Sequence, residues 1–399
     1  MRGGDLAAEI RASLEPRRQE MVDLLGRLVE IESPSDDAVG LDRFASELGS
    51  LFHEFGPIET IPAASPSAAL KLAVEQPRCH LRLSVGGANA GAKNEDRHAV
   101  GLCHFDTVWP KGTLERIPFT VDADGVARGP GCFDMKGGIV VLYFALQALQ
   151  KRGLRPRRRV EVLFTCDEEI GSPTSRPLIE QTANGAGLAY VLESPLPGGT
   201  LKTARKGTGD YVVGITGRAA HAGVEPQKGI SAIGELAHQV LALHALNDYA
   251  VGTTVNVGVV HGGTRPNVVA AAAEAHVDVR VQTLAEAERI DAAIRGLQPR
   301  LPGAVLDIDG GLNRPPMERS PAMATLFEHA RQIAAAMGVD LREGSTGGGS
   351  DGNFTAAMGV PTLDGLGPEG EGAHAAHEHV LTESFPRRVA LLAGLMIEC

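Results

Sequence analysis

The chain has 399 residues, which is enough for two domains, and 43% of them are hydrophobic. Its formal net charge of -11 argues against a nucleic-acid-binding surface and favours a soluble protein. The five cysteines are odd in number and form no close pair, which predicts a reduced, cytoplasmic protein without a disulfide framework. We find no signal peptide and no apolar run that approaches membrane-spanning length, so we expect no membrane partner.

Helical and strand-like patterns alternate in the first half of the chain. The helical patterns, in which apolar residues recur at helical spacing, cover 17–31, 41–55 and 135–152. The strand patterns cover 79–85, 99–103, 159–165 and 188–192. This alternation predicts an α/β fold with a mainly parallel sheet flanked by helices.

The order of the patterns changes near Gly207. The next predicted elements are a strand at 211–216, a helix at 228–246, strands at 253–260 and 268–281, a helix at 284–297 and a strand at 304–308. The order β-α-β-β-α-β is that of the ferredoxin-like split unit. We therefore predict an inserted domain over 208–314, which divides the other domain into 1–207 and 315–399. Two more helices, at 320–338 and 386–397, belong to the last segment.

Three predicted strands in succession end in groups that can bind a metal ion. His104 and Asp106 follow the strand at 99–103, and residues two apart on a strand point to the same face. Glu168 and Glu169 follow the next strand, and Glu193 follows the third. The carboxyl ends of the strands in an open α/β sheet are where ligands bind. We therefore expect these side chains to share one site.

Two later residues extend this set. Asp134 lies on a glycine-rich turn before a helix, and His374 lies in a cluster with His377 and His379. The combined donors suit zinc or a similar divalent ion, and they are His104, Asp134, Glu169, Glu193 and His374. Two metal ions about 4 Å apart that share a bridging carboxylate are a recurring device for hydrolysis.

Two acidic residues in the set need not be ligands. Glu168 could take a proton from water and return it to a leaving amine. Asp106 could hold the imidazole of His104.

Each signal also has a plainer interpretation. A single His-x-Asp at a strand end is weak evidence, Asp-Glu-Glu is common on solvated surfaces, and the three histidines could form a polar loop. Cys103, Cys132 and Cys166 lie near candidate ligands but are better explained as small core residues. The glycine run at 347–349 lacks the Lys-Ser/Thr of a P-loop. The co-occurrence of the signals at strand ends favours the metal site.

Five motifs give the sequence a family resemblance. They are His-Phe-Asp-Thr-Val at 104–108, Gly-Pro-Gly-Cys-Phe-Asp-Met-Lys-Gly-Gly at 129–138, Phe-Thr-Cys-Asp-Glu-Glu-Ile-Gly-Ser at 164–172, Thr-Gly-Arg-Ala-Ala-His-Ala-Gly at 216–223 and Thr-Gly-Gly-Gly-Ser-Asp at 346–351. Together they resemble the di-zinc peptidase family of glutamate carboxypeptidase, aminoacylase, acetylornithine deacetylase and succinyl-diaminopimelate desuccinylase. The resemblance covers essentially the whole chain and is strongest toward the folate-cleaving glutamate carboxypeptidase branch. It implies a zinc-peptidase (phosphorylase/hydrolase-like) sheet with an inserted ferredoxin-like domain.

The resemblance also implies the roles of the metal-site residues. His104 and Glu193 would hold one zinc ion, Glu169 and His374 the other, and Asp134 would bridge them. Glu168 would be the general acid/base and Asp106 would orient His104. The peptide bond after the bridging aspartate would be cis.

Two features depart from that branch of the family. Met135 stands where the branch has a second aspartate. The closing motif is one residue shorter, so the last ligand is open between His374, which fits the spacing His-x-x-x-Glu to Glu378, and His377.

The remaining implied residues lie in the inserted domain, apart from Gly348. This domain would act as a lid and dimerisation domain, and His221 and Asn267 would reach the active site of the partner subunit and stabilise an oxyanion. Arg280, Arg314 and Gly348 match positions implicated in substrate binding.

The sequence therefore predicts a zinc-dependent metallo-carboxypeptidase. It would cleave an amide bond next to a free carboxylate by zinc-hydroxide attack and release glutamate or aspartate from a small N-acyl or peptidyl substrate. We expect two zinc ions per chain, with cobalt or manganese as substitutes, and a homodimer. Alternatives are a broader N-acyl-amino-acid amidohydrolase (aminoacylase) or dipeptidase. A non-catalytic metal-binding protein on this fold is disfavoured, because no ligand or acid/base position is missing.

Overall fold

The structure is a computed structural model, and it describes residues 3–63, 78–86 and 97–399. The chain forms two compact units. The first, here called the outer unit, consists of Met1–Ala204, Arg319–Ser345 and Ser350–Cys399. The second, the inserted unit, consists of Arg205–Glu318 and Thr346–Gly349.

The helices and strands of both units are numbered in chain order. The helices are α1 (Gly3–Leu14), α2 (Arg18–Val29), α3 (Ala38–Phe52), α4 (Gly137–Gln150), α5 (Arg176–Ala183), α6 (Ala232–His244), α7 (Leu284–Arg295), α8 (Pro321–Ala336), α9 (Gly352–Ala357) and α10 (Phe385–Glu398). The strands are β1 (Ile58–Pro62), β2 (Cys79–Val85), β3 (Ala99–His104), β4 (Thr120–Val121), β5 (Val126–Arg128), β6 (Val160–Thr165), β7 (Leu188–Val191), β8 (Leu201–Arg205), β9 (Gly207–Thr216), β10 (Thr254–Gly262), β11 (Ala272–Val281), β12 (Val305–Arg314), β13 (Glu343–Thr346), β14 (Thr362–Leu363), β15 (Gly370–Glu371) and β16 (His379–Leu381).

The main sheet of the outer unit has six strands in the order β1-β2-β6-β3-β7-β14. Strands β6, β3, β7 and β14 run parallel, whereas at one edge β2 pairs antiparallel with β6 and β1 pairs antiparallel with β2. Every residue of β3, β6 and β7 is buried, as expected for parallel strands covered on both faces. The predicted mainly parallel α/β sheet is confirmed.

Helix α4 lies in the core of this unit. The stretch Cys132–Gln150 is long and apolar enough to span a membrane, so our expectation that no run approaches that length was wrong. However, 83% of its most apolar window is buried inside the protein, which explains the composition as that of a core helix. A Cβ at Gly138 would lie 1.9 Å from the carbonyl oxygen of Leu192, so only glycine lets α4 begin this close to the residue before Glu193.

The inserted unit contains one antiparallel sheet in the order β10-β11-β9-β12. Buried side chains of the strands pack with α6 and α7 in two apolar clusters, so one face of the sheet is covered by helices. The chain order β9-α6-β10-β11-α7-β12 with this strand order is the ferredoxin-like unit that the sequence predicted.

Four residues of the glycine-rich motif, Thr346–Gly349, also belong to the inserted unit. The backbone N–H of Lys206 donates to the carbonyl oxygen of Thr346 at 3.0 Å. Arg205 Nη1 donates to the carbonyl oxygens of Gly348 and Gly349 at 3.0 and 2.9 Å. These bonds join the motif to residues at the start of the unit.

Candidate metal centre

The first half of the candidate centre is built around His104, the last residue of β3. Its Nε2 atom lies 3.2 Å from Asp134 Oδ1 and 3.3 Å from Glu193 Oε1. Ligand atoms bound tetrahedrally at about 2.0–2.2 Å from zinc are about 3.3–3.6 Å apart. Each of these two carboxylate oxygens therefore lies at nearly the distance from the imidazole that ligands of one bound ion require.

The second half is built around His374. Its Nε2 atom lies 3.2 Å from Asp134 Oδ2 and 3.2 Å from Glu169 Oε2. The two carboxylate oxygens of Asp134 therefore face two different donor sets. This is the arrangement required of a carboxylate that bridges two metal ions.

The charges and hydrogen bonds of these residues fit bound cations. Glu169 Oε1 is buried and has no hydrogen-bond partner among the described residues, which is costly for a carboxylate oxygen unless a cation satisfies it. Burial raises the pKa of Glu169 to about 7. Hydrogen bonds to Asp134 and Glu169 raise the pKa of His374 to about 10. The centre thus favours positive charge, and its donors fit a pair of metal ions.

At His104 and Asp134, burial and hydrogen bonding shift the pKa in opposite directions. Burial lowers the pKa of His104, but its bonds to Asp106, Asp134 and Glu193 outweigh this and raise it well above its usual value. Burial raises the pKa of Asp134, but its bonds to His104 and His374 outweigh this and lower it.

Asp134 is presented by a turn that Glu378 holds in place. Glu378 Oε1 accepts the backbone N–H groups of Phe133 and Asp134 at 2.8 and 3.0 Å. Its Oε2 accepts the backbone N–H of Gly131 at 2.9 Å and the indole N–H of Trp109 at 2.7 Å. Glu378 is only 2% exposed, so these four bonds are shielded from water. Sequence reasoning used Glu378 only as a spacing landmark and missed this role.

The peptide bond between Asp134 and Met135 is cis, as the family resemblance implied. The sulfur of Met135 accepts the backbone N–H of His104 at 3.1 Å. Met135, which replaces the second aspartate of the glutamate carboxypeptidase branch, thus contacts the backbone of a candidate ligand.

Asp106 connects the two strand ends that carry His104 and Glu168. Its carbonyl oxygen lies 3.0 Å from His104 Nδ1. Its carboxylate accepts the backbone N–H groups of Glu168 and Glu169, both at 3.1 Å, and the hydroxyl of Ser35 at 2.8 Å. Because Asp106 is fully buried, it fixes the turn that carries the candidate acid/base as well as the candidate ligand.

Glu168 lies beside the first donor set. One donor atom each from His104, Glu168 and Glu193 are all within 4.8 Å of one another. The side chain of Glu168 is only partly buried. A carboxylate in this position can exchange a proton with a molecule bound at the centre.

The structure places His374, and not His377, against the carboxylates. Asp134 and Glu169 each form an ion pair with His374, and among the described residues neither of them pairs with His377. His374 has a left-handed backbone with φ of 63° and is about half exposed. A left-handed non-glycine residue is uncommon and is often found at functional sites.

The predicted residues of the inserted unit form two groups. His221 and Asn267 are both exposed, and they are near neighbours because the backbone N–H of Ala222 donates to the carbonyl oxygen of Asn267 at 3.0 Å. His221 Nδ1 accepts the backbone N–H of Gly223 at 3.1 Å.

Arg280, Arg314 and the glycine run form the second group. Arg280 and Arg314 both pair with Thr208 of β9, one from each side, so they lie in one row of the sheet roughly 10 Å apart. The guanidinium of Arg280 is bound by the carboxylate of Asp278 at 2.7 to 3.0 Å. A Cβ at Gly349 would lie 2.8 Å from Arg314 Cδ, so the glycine permits the backbone to approach that arginine closely.

Comparisons with known proteins agree with this fold. The model of the family described as Peptidase family M20/M25/M40 matches residues 102–398. Carboxypeptidase G2 of Pseudomonas sp. (strain RS-16) is 32% identical over 392 residues, which cover 95% of this chain and 89% of that protein.

Two crystal structures share the fold. Aminopeptidase PepT of Bacillus cereus has a TM-score of 0.74 at 22% identity and covers 96% of this chain and 98% of its own. The YXEP protein of Bacillus subtilis is described as a dinuclear metal binding peptidase from the M20 family. Its structure has a TM-score of 0.64 at 17% identity, and the match covers 95% of this chain and 97% of that chain. The chain belongs to peptidase family M20/M25/M40 and is a metallopeptidase or amidohydrolase that is similar to carboxypeptidase G2.

Proposed function

We propose that this enzyme is a two-metal carboxypeptidase that releases glutamate or aspartate from the end of an N-acyl or peptidyl substrate. The observation that carries the proposal is the position of Asp134, whose two oxygens each face an imidazole at 3.2 Å. His104 and Glu193 would hold one ion, and Glu169 and His374 the other. We expect zinc, with cobalt or manganese as substitutes. When bound, two such ions polarise a carbonyl group and lower the pKa of water.

Glu168 supplies the proton transfers in this proposal. Its carboxylate takes a proton from the attacking water and returns it to the nitrogen of the leaving amine. The support is its place beside His104 and Glu193 and the two bonds by which Asp106 holds the turn. A positioned general acid/base contributes about 10²- to 10⁴-fold to the rate of such reactions.

Arg280 and Arg314, which lie in one row of the inserted sheet, support a substrate with a free carboxylate. Guanidinium groups bind carboxylates with two parallel hydrogen bonds. Arg314 is buried beside the glycine run, whose backbone can approach a ligand closely, and Arg280 lies in the same row. We assign Arg314 to the carboxylate of the released amino acid, with Arg280 and Gly348 as its neighbours. The name of the related carboxypeptidase G2 agrees with this specificity.

We further propose that the enzyme is a homodimer in which the inserted unit acts as a lid. The pair His221 and Asn267 would complete the active site of the partner subunit, because both side chains are exposed and can meet a second subunit. An imidazole donor aimed at the developing oxyanion would lower the barrier by about 3 kcal/mol.

Matched substrates test the proposed specificity. An N-acyl-glutamate, its α-amide and the corresponding N-acyl-leucine should be compared by kcat/KM with the zinc-loaded enzyme. We expect the free glutamate to be hydrolysed best and the α-amide least. Equal hydrolysis of the free acid and the amide would refute a carboxypeptidase. Equal hydrolysis of the glutamate and leucine compounds would instead identify a broader aminoacylase.

A further inference from the structure

An irregularity in β10 changes which residues face the open side of the inserted sheet. Val257 pairs with Val277 of β11, and the register then shifts so that Val259 pairs with His276 and His261 with Glu274. Gly258 is the extra residue, which makes this a β-bulge. Without it, His261 would lie opposite Ala273, which is buried on the helix-covered face. The bulge therefore moves the side chain of His261 to the open face.

On that face, His261 joins two other potential metal ligands. Glu274 and His276 are two residues apart on β11, so they point to the same side as their partners on β10. His276 Nε2 lies 3.4 Å from Glu274 Oε1, and the rings of His261 and His276 have centroids 6.2 Å apart. One donor atom from each of the three residues lies within 4.8 Å of the others.

We infer that His261, Glu274 and His276 form a second metal site, separate from the candidate centre of the outer unit. Ligand atoms around a zinc ion are about 3.3 Å apart in a tetrahedral arrangement, so only modest side-chain rotations are needed. All three side chains are exposed and have room for these rotations. Two imidazoles and one carboxylate favour zinc, nickel or copper over magnesium or calcium. The remaining coordination positions are open to water or to a donor from another molecule.

The charges of the neighbouring strand support a cation here. Strand β9 lies between β11 and β12. Across it, Asp307 lies in register with Glu274, and Asp309 lies in register with His276. Both aspartates are exposed. Carboxylates grouped on one face raise the local concentration of cations.

Zinc binding by the metal-loaded enzyme tests this inference. The loaded protein is dialysed to equilibrium against increasing free zinc, and the ions bound beyond those of the outer unit are counted. We expect one further ion in the wild-type protein, and an affinity at least about tenfold weaker in His276→Ala, because even the loss of a residue that only supports a ligand costs that much. His238→Ala is the matched control, since His238 is exposed on α6 of the same unit. Hydrolysis should be unchanged in both variants.

Two results would overturn the inference. One is that wild-type protein and His276→Ala bind the same number of zinc ions. The other is that His238→Ala loses as much zinc binding as His276→Ala does. Copper added to the loaded enzyme gives an independent readout, because its electron paramagnetic resonance spectrum should show two nitrogen ligands in the wild-type protein and one in His261→Ala. Identical spectra would also refute the site. None of these outcomes depends on the substrate, so failure here leaves the proposed function unaffected.

Discussion

Replacement of Glu378 by glutamine tests how the turn that carries Asp134 is held. Each carboxylate oxygen of Glu378 accepts two hydrogen bonds, from Phe133 and Asp134 on one side and from Gly131 and Trp109 on the other. Glutamine has almost the same size but offers only one acceptor oxygen. Its amide N–H₂ group would therefore face two N–H donors that it cannot satisfy.

The cost of this change follows from the number of bonds lost. A hydrogen bond to a charged group contributes about 1.5–3 kcal/mol to stability, so two lost bonds amount to about 3–6 kcal/mol. The site is buried, so water cannot replace the missing acceptor. Whole domains are stable by only about 5–15 kcal/mol, so we expect a large fall in the free energy of unfolding. Zinc binding should weaken as well, because both carboxylate oxygens of Glu378 hold backbone groups of the turn that presents Asp134.

The chain contains a single tryptophan, Trp109, which donates to Glu378 and so reports on this region directly. Denaturant unfolding followed by its fluorescence, together with zinc content, should separate Glu378→Gln from wild-type protein. Glu371→Gln is the control, since it makes the same change at an exposed position of β15. If Glu378→Gln were as stable and as rich in zinc as Glu371→Gln, the turn would be held by other contacts and our reasoning would be wrong.

Three further predictions concern catalysis. Glu168→Gln should keep its zinc while kcat falls by about 10²-fold or more, and parallel loss of zinc and activity would make Glu168 a ligand instead. Arg314→Ala should reduce kcat/KM for free-acid substrates more than for their amides, whereas equal reductions would exclude Arg314 from carboxylate binding. His221→Ala should lose activity without losing zinc, and exchange of subunits with Glu168→Gln should restore activity toward about a quarter of wild type. No recovery in verified mixed dimers would show that His221 does not complete the partner's site.

The elements that sequence predicted well are those with long periodic patterns. Strand β3 is an apolar run that ends in His104, β6 is apolar apart from Glu161 and Thr165, and α4 is apolar along most of its length. Helix α1 was missed, although its buried residues Leu6, Ile10 and Leu14 follow helical spacing, because we considered only the charged composition of that segment. The strands β4, β14 and β15 contain two residues each, which is too short for any period to show.

The candidate site was predictable as a set of residue types at strand ends, but the contacts that hold those residues were not. The bonds from Glu378 join residues more than 240 positions apart in the sequence, and no local pattern predicts such a pairing. The hydrogen bond that the Asp106 carboxylate accepts from the backbone N–H of Glu168 likewise depends on two strands being neighbours in the sheet. The sequence of β10 is strand-like throughout, so the bulge at Gly258 can be recognised only from the register in which β10 pairs with β11.

Anomalous diffraction at the zinc edge, from crystals of the zinc-loaded enzyme, tests the central claim most directly. We predict two peaks about 3.5–4 Å apart in the outer unit, one on each side of the Asp134 carboxylate. The first should lie against His104 and Glu193, and the second against Glu169 and His374. A single peak at Asp134, or a second peak bound by His377 instead of His374, would contradict the assignment of this carboxylate and its partners.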